Sequence, residues 1–228
     1  MKLIKLSLVA ALFTTTMYAG NEAVVAQTDG LEISANVALT SNYVWRGMTQ
    51  TDDSAAVQGG ADIEYMGLYA GVWGSNISWT NNDESSLEAD LYLGYTNEIA
   101  GFSYDLGFIA YTYPNVMDAN NFGEAYLGLG YDFGVASVGA KYSLGVSIAD
   151  WEDVPDSWEV TASAPLPMDF SVDAVYGDYD VYGAYYLVGV NYSYDKYDFT
   201  LAYTANDGGD AGSTAEQDNI VFSVGTSF

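Results

Sequence analysis

The sequence predicts an all-β protein, a transmembrane antiparallel up-and-down β-barrel of twelve strands. Three observations predict this fold: a secretory start, short segments in which apolar and polar residues alternate, and connections that are alternately short and long. The alternation is clearest at the end of the chain, in the segment 219–228. Its even-numbered residues, from Ile220 to Phe228, are mostly apolar, and those between them are mostly small or polar. Successive side chains of a strand point to opposite faces, so this segment has one face for lipid and one for a lumen.

The start of the chain is typical of a secreted protein. Lys2 and Lys5 precede an apolar run at 6–13, which is much shorter than the about 20 residues that a membrane-spanning helix needs. We therefore interpret residues 1–26 as a signal peptide, with cleavage between 19 and 26, and residues 27–228 as the barrel. The predicted location is the outer membrane of a Gram-negative cell.

Twelve strand-like segments follow the predicted signal peptide. In the clearest, 87–98, Leu87 and Leu91 alternate with Glu88 and Asp90. An even number of strands places both termini on the periplasmic side, as expected for a chain inserted from there. The predicted strands are 31–47, 54–66, 67–78, 87–98, 101–113, 123–133, 135–148, 157–164, 169–177, 181–194, 197–206 and 218–228.

The connections also follow the pattern of outer-membrane barrels, which have short periplasmic turns and longer external loops. The one exception to the alternation is the short connection 177–180. Short turns are predicted at 66–67, 99–100, 133–134, 165–168 and 195–196, and longer loops at 48–53, 79–86, 114–122, 149–156 and 207–217. Tryptophans beside the longer loops predict an aromatic belt at the external membrane surface. They are Trp45, Trp79, Trp151 and Trp158.

Composition excludes several function classes. The chain has 31 acidic and 5 basic residues, a net charge of −26, so it lacks the basic surface that nucleic-acid binding requires. It has no cysteine and no histidine, which excludes disulfides, thiolate metal sites and a Ser-His hydrolase. Glu88 and Asp90 could do acid–base chemistry, but such pairs are expected in any polar lumen. We predict a protein that is not an enzyme and has no cofactor or metal site.

A soluble β-sandwich would alternate in the same way. A sandwich leaves edge strands that need protection, whereas a closed barrel has no edge and pairs every backbone group, as lipid demands. The secretory start, the alternating loop lengths and the terminal Phe228 favour the barrel. An aromatic C-terminus is similar to the signal that the barrel assembly machinery recognises, so the predicted partners are this machinery and outer-membrane lipid.

A local motif is similar to a known family. The segments 41–47 (SNYVWRG), 58–62 (QGGAD) and 67–76 (GLYAGVWGSN) resemble the TorF family of porin-like outer-membrane β-barrels from proteobacteria, whose function is unknown. Ala55 stands where that family often has a proline. The resemblance implies a barrel with a porin role, and it implies no catalytic residues and no substrate.

The remaining evidence about function comes from charged residues at the strand positions that are predicted to face the lumen. A charge on the lipid face costs a few kcal/mol, so we expect these charged side chains to face inward. The predicted pore-lining residues are Arg46, Asp62, Glu64, Glu88, Asp90, Asp105, Glu124, Lys141 and Asp173. Arg46, the only arginine, either creates a transverse field among these acids or pairs with Asp62 or Glu64 on the neighbouring strand.

Two functions fit these observations. Eight-stranded barrels are filled by side chains and sixteen-stranded ones hold an open channel, so twelve strands allow a narrow pore. An acidic wall would concentrate cations, which predicts a narrow, cation-preferring porin for ions or small solutes. The alternative is a closed structural or surface-interaction barrel whose interior is filled by tyrosines. Candidates for filling it are Tyr92, Tyr111 and Tyr126.

Overall fold

The computed structural model describes residues 24–28, 30–79, 86–114, 121–149, 153–210 and 215–228. These ranges contain fifteen strands. Within these ranges, no helix is long and apolar enough to cross a membrane. The strands are β1 Val24–Thr28, β2 Leu31–Thr40, β3 Val44–Trp45, β4 Met48–Thr49, β5 Ala56–Tyr65, β6 Leu68–Asn76, β7 Leu87–Ile99, β8 Phe102–Thr112, β9 Phe122–Asp132, β10 Ser137–Val146, β11 Ser157–Leu166, β12 Phe170–Tyr179, β13 Gly183–Tyr194, β14 Tyr197–Asn206 and β15 Gln217–Ser227.

Twelve of these strands form a closed antiparallel barrel. Strands β5 to β15 pair in chain order, and β2 pairs with both β15 and β5, which closes the ring. Closure leaves no sheet edge, so the backbone groups of the wall are paired between strands. The predicted twelve-stranded barrel is confirmed.

Side chains alternate between the two faces of the wall as the sequence predicts. In β7, Leu91 is 58% exposed on the outside, whereas Glu88 is 2% exposed on the inside. The outer face of the other strands is likewise apolar and exposed, with residues such as Leu39, Leu106 and Val188. In water such a surface would drive aggregation, whereas in a bilayer it faces the acyl chains.

The short turns follow from backbone chemistry. Met66 and Gly67 join β5 to β6 with φ values of 53° and 85°, and Ala100 and Gly101 join β7 to β8 with 53° and 84°. Positive φ at both central residues defines the type I′ turn, whose twist matches that of the flanking strands. We call this end of the barrel the short-turn end and the opposite end the long-loop end.

The last strand, β15, meets the first strand of the wall, β2, at the seam of the barrel. The amide and carbonyl of Phe228 exchange hydrogen bonds with Ala35, at N–O distances of 2.8 and 3.1 Å. Beyond Phe228, β1 continues along the same edge and pairs with Leu31–Ser34 of β2. The predicted signal-peptide boundary at residue 26 falls inside β1, and residues 1–23 lie outside the described ranges.

The prediction for the first strand is wrong beyond Thr40. The chain leaves the wall there and re-enters it at Ala56, which pairs directly with Thr40. Between them, residues 41–55 leave the wall, and the middle of this segment turns into the lumen as a two-stranded hairpin of β3 and β4, which we call the inner hairpin. The alternation at 41–47 reflects this second, shorter hairpin, because its strands have the same period as the wall.

The inner hairpin also changes the predicted external belt of tryptophans. Trp45 belongs to the hairpin and packs inside the barrel against Tyr179 and Phe122. Trp79 packs on Tyr113 rather than facing lipid. Trp158 is exposed on the outer face as expected, and Trp151 lies outside the described residues.

Candidate functional site

The inner hairpin crosses the lumen near the long-loop end. Tyr43 packs edge-on against Trp73 of β6, with ring centroids 5.4 Å apart. Trp45 packs edge-on against Tyr179 of β12, with centroids 5.2 Å apart. Strands β6 and β12 lie six positions apart in the ring of twelve, so they face each other. A segment that contacts both walls therefore spans the lumen between them.

Arg46, at the tip of the hairpin, binds Glu124 of β9. Its two terminal nitrogens donate to the two carboxylate oxygens at 2.7 and 2.8 Å. The guanidinium carbon lies 4.3 Å from the ring centre of Trp45 and 4.4 Å from that of Tyr179, so both contribute cation–π contacts. Planar, bidentate pairing between aromatic rings is geometry that arginine provides and lysine does not. We call this arrangement the Arg46–Glu124 latch.

The latch corrects the predicted partner of Arg46. Neither Asp62 nor Glu64 binds it, because Arg46 does not belong to the wall beside β5 and instead reaches across to β9. Arg46 and Glu124 are 3% and 2% exposed. Burial, the largest single influence, would lower the pKa of Arg46, but the charge and hydrogen bonds of Glu124 together with the nearby tyrosines hold that pKa well above its ordinary value. The guanidinium therefore stays charged.

The tip of the hairpin requires the Arg46-Gly47 sequence. These residues are the central pair of a two-residue turn, with φ values of 49° and 78°. The turn also lies against β14: a Cβ added to Gly47 would fall 2.4 Å from the carbonyl oxygen of Ala205. Asn206 donates from Nδ2 to the carbonyl of Arg46 at 3.2 Å. Only glycine combines this backbone conformation with so close an approach.

Asn42 holds the base of the hairpin. Its Nδ2 donates to the side-chain oxygens of Asp53 and Asn219, at 2.9 and 3.0 Å. Its Oδ1 accepts from the hydroxyls of Thr49 and Thr51, at 2.7 and 3.0 Å. One side chain thus joins both arms of the hairpin to β15. The segment 41–47 is therefore a docked hairpin whose turn, latch and base each depend on a named residue.

Two buried acids lie under the hairpin. Glu88 and Asp90 face inward from β7 and are almost fully buried. Glu88 Oε2 and Asp90 Oδ1 accept no hydrogen bond from any described residue. Tyr43 lies beside them, and its burial, followed by the charges of Glu88 and Asp90, raises the pKa of its hydroxyl well above the ordinary value. The hydroxyl of Tyr43 therefore stays protonated beside these carboxylates.

Tyrosines extend across the inner wall over glycines. Tyr69 of β6 lies opposite Gly94, and Tyr126 of β9 lies opposite Gly107. The two hydroxyls are 2.5 Å apart, and Tyr69 also donates to Asp105 at 2.7 Å. A Cβ on Gly94 would fall 2.2 Å from the Tyr69 hydroxyl, so the wall has no side chain where the ring lies. Glycines of the inner wall thus make space for tyrosines that bind carboxylates.

A second ion pair lies deeper in the lumen. Lys141 of β10 pairs with Glu159 of β11 at 3.1 Å, and the Tyr185 hydroxyl donates to Glu159 at 2.9 Å. The ring of Tyr185 lies over Gly177, whose added Cβ would be 2.5 Å from it. Unlike the latch, this pair joins neighbouring strands of the wall. It shapes the lumen surface without crossing it.

The remaining predicted acids lie towards the short-turn end. Asp62 accepts from Tyr92, and Asp173 accepts from Asn191. Glu64 lies beside Glu32 of the adjacent strand. These side chains are only partly buried, in contrast to Glu88, Asp90 and Glu124.

The structure brings the nine predicted pore-lining residues to the interior of the barrel, eight from the wall and Arg46 from the hairpin. Residues that the sequence did not single out complete the site, notably Tyr179, Asn206 and Gly47. The Arg-Gly pair between two short alternating segments is a hairpin signal that could have revealed the turn. Among the described residues, no group of three or more His, Cys, Asp or Glu side chains is placed to hold a metal ion.

Comparison with known proteins supports the architecture. Residues 25–228 match the sequence profile of Gcw_chp, described as a bacterial protein of unknown function. The chain belongs to this family. The TorF name is not confirmed by this match, whereas the barrel that the resemblance implied is confirmed by the closed ring of strands. No curated protein matches the chain.

Solved structures with a similar fold are outer-membrane barrels. The KdgM porin superposes with a TM-score of 0.58 at 12% identity, covering 86% of this chain and 98% of the porin. The NanC porin gives 0.55 at 10% identity, with coverage of 86% and 98%. Outer membrane phospholipase A from Escherichia coli gives 0.55 at 14% identity, with coverage of 85% and 92%. At these identities the likeness shows the fold alone, and it includes both porins and an enzyme.

Proposed function

We propose that this protein is an outer-membrane porin that forms a narrow, cation-preferring channel for ions or small solutes. We propose further that its N-terminal segment is a signal peptide that exports it, and that the short-turn end faces the periplasm. The barrel fold and the apolar outer face support insertion into a membrane. The inward-facing carboxylates support the preference for cations.

The charge of the lumen is the observation that carries this proposal. The two inward-facing cations, Arg46 and Lys141, are each paired with one carboxylate. Six of the other inward-facing acids form no salt bridge within the part of the chain that the structure describes. They are Asp62, Glu64, Glu88, Asp90, Asp105 and Asp173. A lumen with this excess of negative charge attracts cations and repels anions.

The inner hairpin adds a gating element to this proposal. In the described state it lies across the lumen, so a permeating ion passes either beside it or after it has moved. The latch is the contact that holds it closed. We assign the pore-lining role to the same inward-facing residues, with Arg46 acting at the gate rather than in the wall.

Planar-bilayer recording in a salt gradient tests the proposal. The purified full-length protein should give small channels whose reversal potential has the sign of cation selectivity. An absence of conductance, or a reversal potential of the opposite sign, would contradict it. Replacing Asp62 and Glu64 with Asn and Gln should reduce the selectivity, because both face the more open half of the lumen.

The second candidate is a closed barrel with a structural or surface-interaction role. The observation that favours it is the hairpin itself, which fills the long-loop end together with tyrosines. This role predicts no ion flux through the intact protein. It also predicts that cells lacking the protein take up small solutes at the normal rate.

A further inference from the structure

A cavity of about 50 Å³ lies beside the inner hairpin. Its walls come from β2, β14 and β15, and from single residues of β5, β6 and β13, with residues 42–44 beside them. The volume has room for roughly three to five water molecules, which is also the space that urea or a three-carbon polyol needs.

The lining of this cavity carries no charge, which distinguishes it from the rest of the lumen. Its polar groups are hydroxyls and amides from four strands and the base of the hairpin, namely Asn36, Thr40, Asn42, Gln58, Thr200, Thr204 and Ser223. An ion placed here would lose its hydration without meeting an opposite charge, which is costly. The lining therefore disfavours both cations and anions, whereas a neutral hydrogen-bonding molecule finds donors and acceptors on several sides.

Gln58 gives the cavity an unmet donor. Its side chain is 6% exposed and lines the cavity, yet its Nε2 has no hydrogen-bond partner among the described residues. A buried amide left without a partner is costly, because it has lost its water and gained nothing in return. An acceptor supplied by a bound molecule would satisfy it.

Trp73 gives the cavity a flat apolar surface. Its indole lines the cavity and is held by the edge-on contact with Tyr43 of the hairpin. Small-molecule sites typically combine such an aromatic surface with a few placed polar groups. An aromatic face suits the C–H side of a small polyol, while the amides and hydroxyls around it suit its oxygens.

We propose that this cavity is a binding site for a small uncharged polyol of the size of glycerol. The Gln58 amide donates to one hydroxyl of the ligand, Thr204 of β14, three strands further round the wall, bonds another, and Trp73 packs against the carbon chain. This inference is independent of the proposed cation channel, because binding at the cavity does not require that ions pass through the barrel. A neutral solute would therefore bind in the space beside the hairpin.

Saturation-transfer NMR with glycerol tests the site directly. The full-length protein is purified in lauryldimethylamine oxide, because that detergent has no sugar head group whose carbon-bound protons would overlap those of glycerol. We expect a saturable glycerol signal that Gln58→Leu weakens about tenfold, as expected for one lost hydrogen bond to a neutral group. Thr204→Val, which keeps the shape of the side chain, should weaken it in the same direction.

Thr161→Val is the matched control, since Thr161 also faces inward but lies on β11, away from the cavity. Its glycerol signal should equal that of the unaltered protein. Equal signals in all four proteins would overturn the site, and so would displacement of glycerol by ethanolamine or glycerate, because a charged ligand contradicts the uncharged lining. Folding is checked by heat-modifiable gel migration. Glycerol binding without ion conductance would overturn the proposed channel and leave this inference standing.

Discussion

The two halves of the lumen have the same wall but different interiors. Towards the long-loop end, the inward-facing Glu88, Asp90 and Glu124 are almost fully buried. Towards the short-turn end, Asp62 and Asp173, which have equivalent inward positions, are partly exposed. Strand pairing is regular in both halves. The difference comes from the inner hairpin, which occupies only the long-loop half, and it teaches that a loop rather than the wall decides how open this barrel is.

The ion pairs of the lumen repeat this contrast. The Arg46–Glu124 latch connects the hairpin to the wall across the lumen, and two aromatic rings enclose it. The Lys141–Glu159 pair connects neighbouring strands and is somewhat more exposed. Breaking the first should release a segment that fills the lumen, whereas breaking the second should only change the surface of the wall. Variants can test this difference, and the four that follow are ordered by expected effect.

Removal of the inner hairpin should have the largest effect. Thr40 and Ala56 pair directly, so residues 41–55 can be replaced by Asn-Gly without moving β2 or β5. We expect the single-channel conductance to rise roughly tenfold, because the lumen of the long-loop half then resembles that of the short-turn half. Planar-bilayer recording measures it, with heat-modifiable migration to show that the barrel is closed. An unchanged conductance would mean that the tyrosines, and not the hairpin, close the lumen.

Breaking the latch should have the next largest effect. Arg46→Ala or Glu124→Gln leaves one buried charged or polar partner unmatched, which costs about 3–5 kcal/mol of hairpin docking. We expect each single variant to open frequently, and the open channel to have the same conductance as the hairpin-deleted protein. The double variant Arg46→Met/Glu124→Met should be less open than either single one, because no unpaired charge remains. Lys141→Met is the control, and openings as frequent as those of Arg46→Ala would remove the distinction between the two pairs.

Loss of Phe228 should affect assembly rather than conduction. Its backbone makes two hydrogen bonds to Ala35 at the seam, and its ring is exposed on the outer face at the short-turn end. We expect deletion of Phe228 to lower the amount of folded protein in the outer membrane several-fold. Protein that does insert should conduct normally. Ser227→Ala serves as the control, and a normal amount of the deleted protein in membranes would contradict the assembly role.

Removal of one wall tyrosine hydroxyl should have the smallest effect. Tyr185→Phe takes one donor from Glu159 but leaves the ring over Gly177 and the pair with Lys141 in place. We expect a loss of about 1 kcal/mol in unfolding free energy, the usual value for one hydrogen bond, and no change in gating. Urea unfolding in detergent measures the first and bilayer recording the second. Openings like those of Arg46→Ala would show that the wall also controls the gate.

The wall could be predicted from the sequence because its pattern is local. Alternation within a segment such as 87–98 assigns each side chain to a face, and pairing in chain order needs no further information. Two-residue turns such as Met66-Gly67 could be placed because their backbone requires positive φ. For these parts of the chain, neighbouring residues carry the whole signal.

The site could be predicted only in part, because its contacts are distant in sequence. The inward faces of Glu88 and Glu124 follow from parity, but the partner of Arg46 lies 78 residues away on the opposite wall. Alternation at 41–47 has the same period in a short hairpin as in a wall strand, so it could not show where β2 ends. The uncharged cavity likewise depends on six strands that meet only when the barrel closes.

Thiol accessibility tests most directly whether the latch holds the long-loop half closed. The chain has no cysteine, so Thr204→Cys beside the hairpin and Ser171→Cys near the short-turn end each introduce a single reporter thiol. A membrane-impermeant maleimide is added from the long-loop side of oriented proteoliposomes. The cysteine at 204 should react slowly in the unaltered background and at least ten times faster with Arg46→Ala, about the change expected once the hairpin undocks. Fast reaction at 204 with the latch intact would contradict the account.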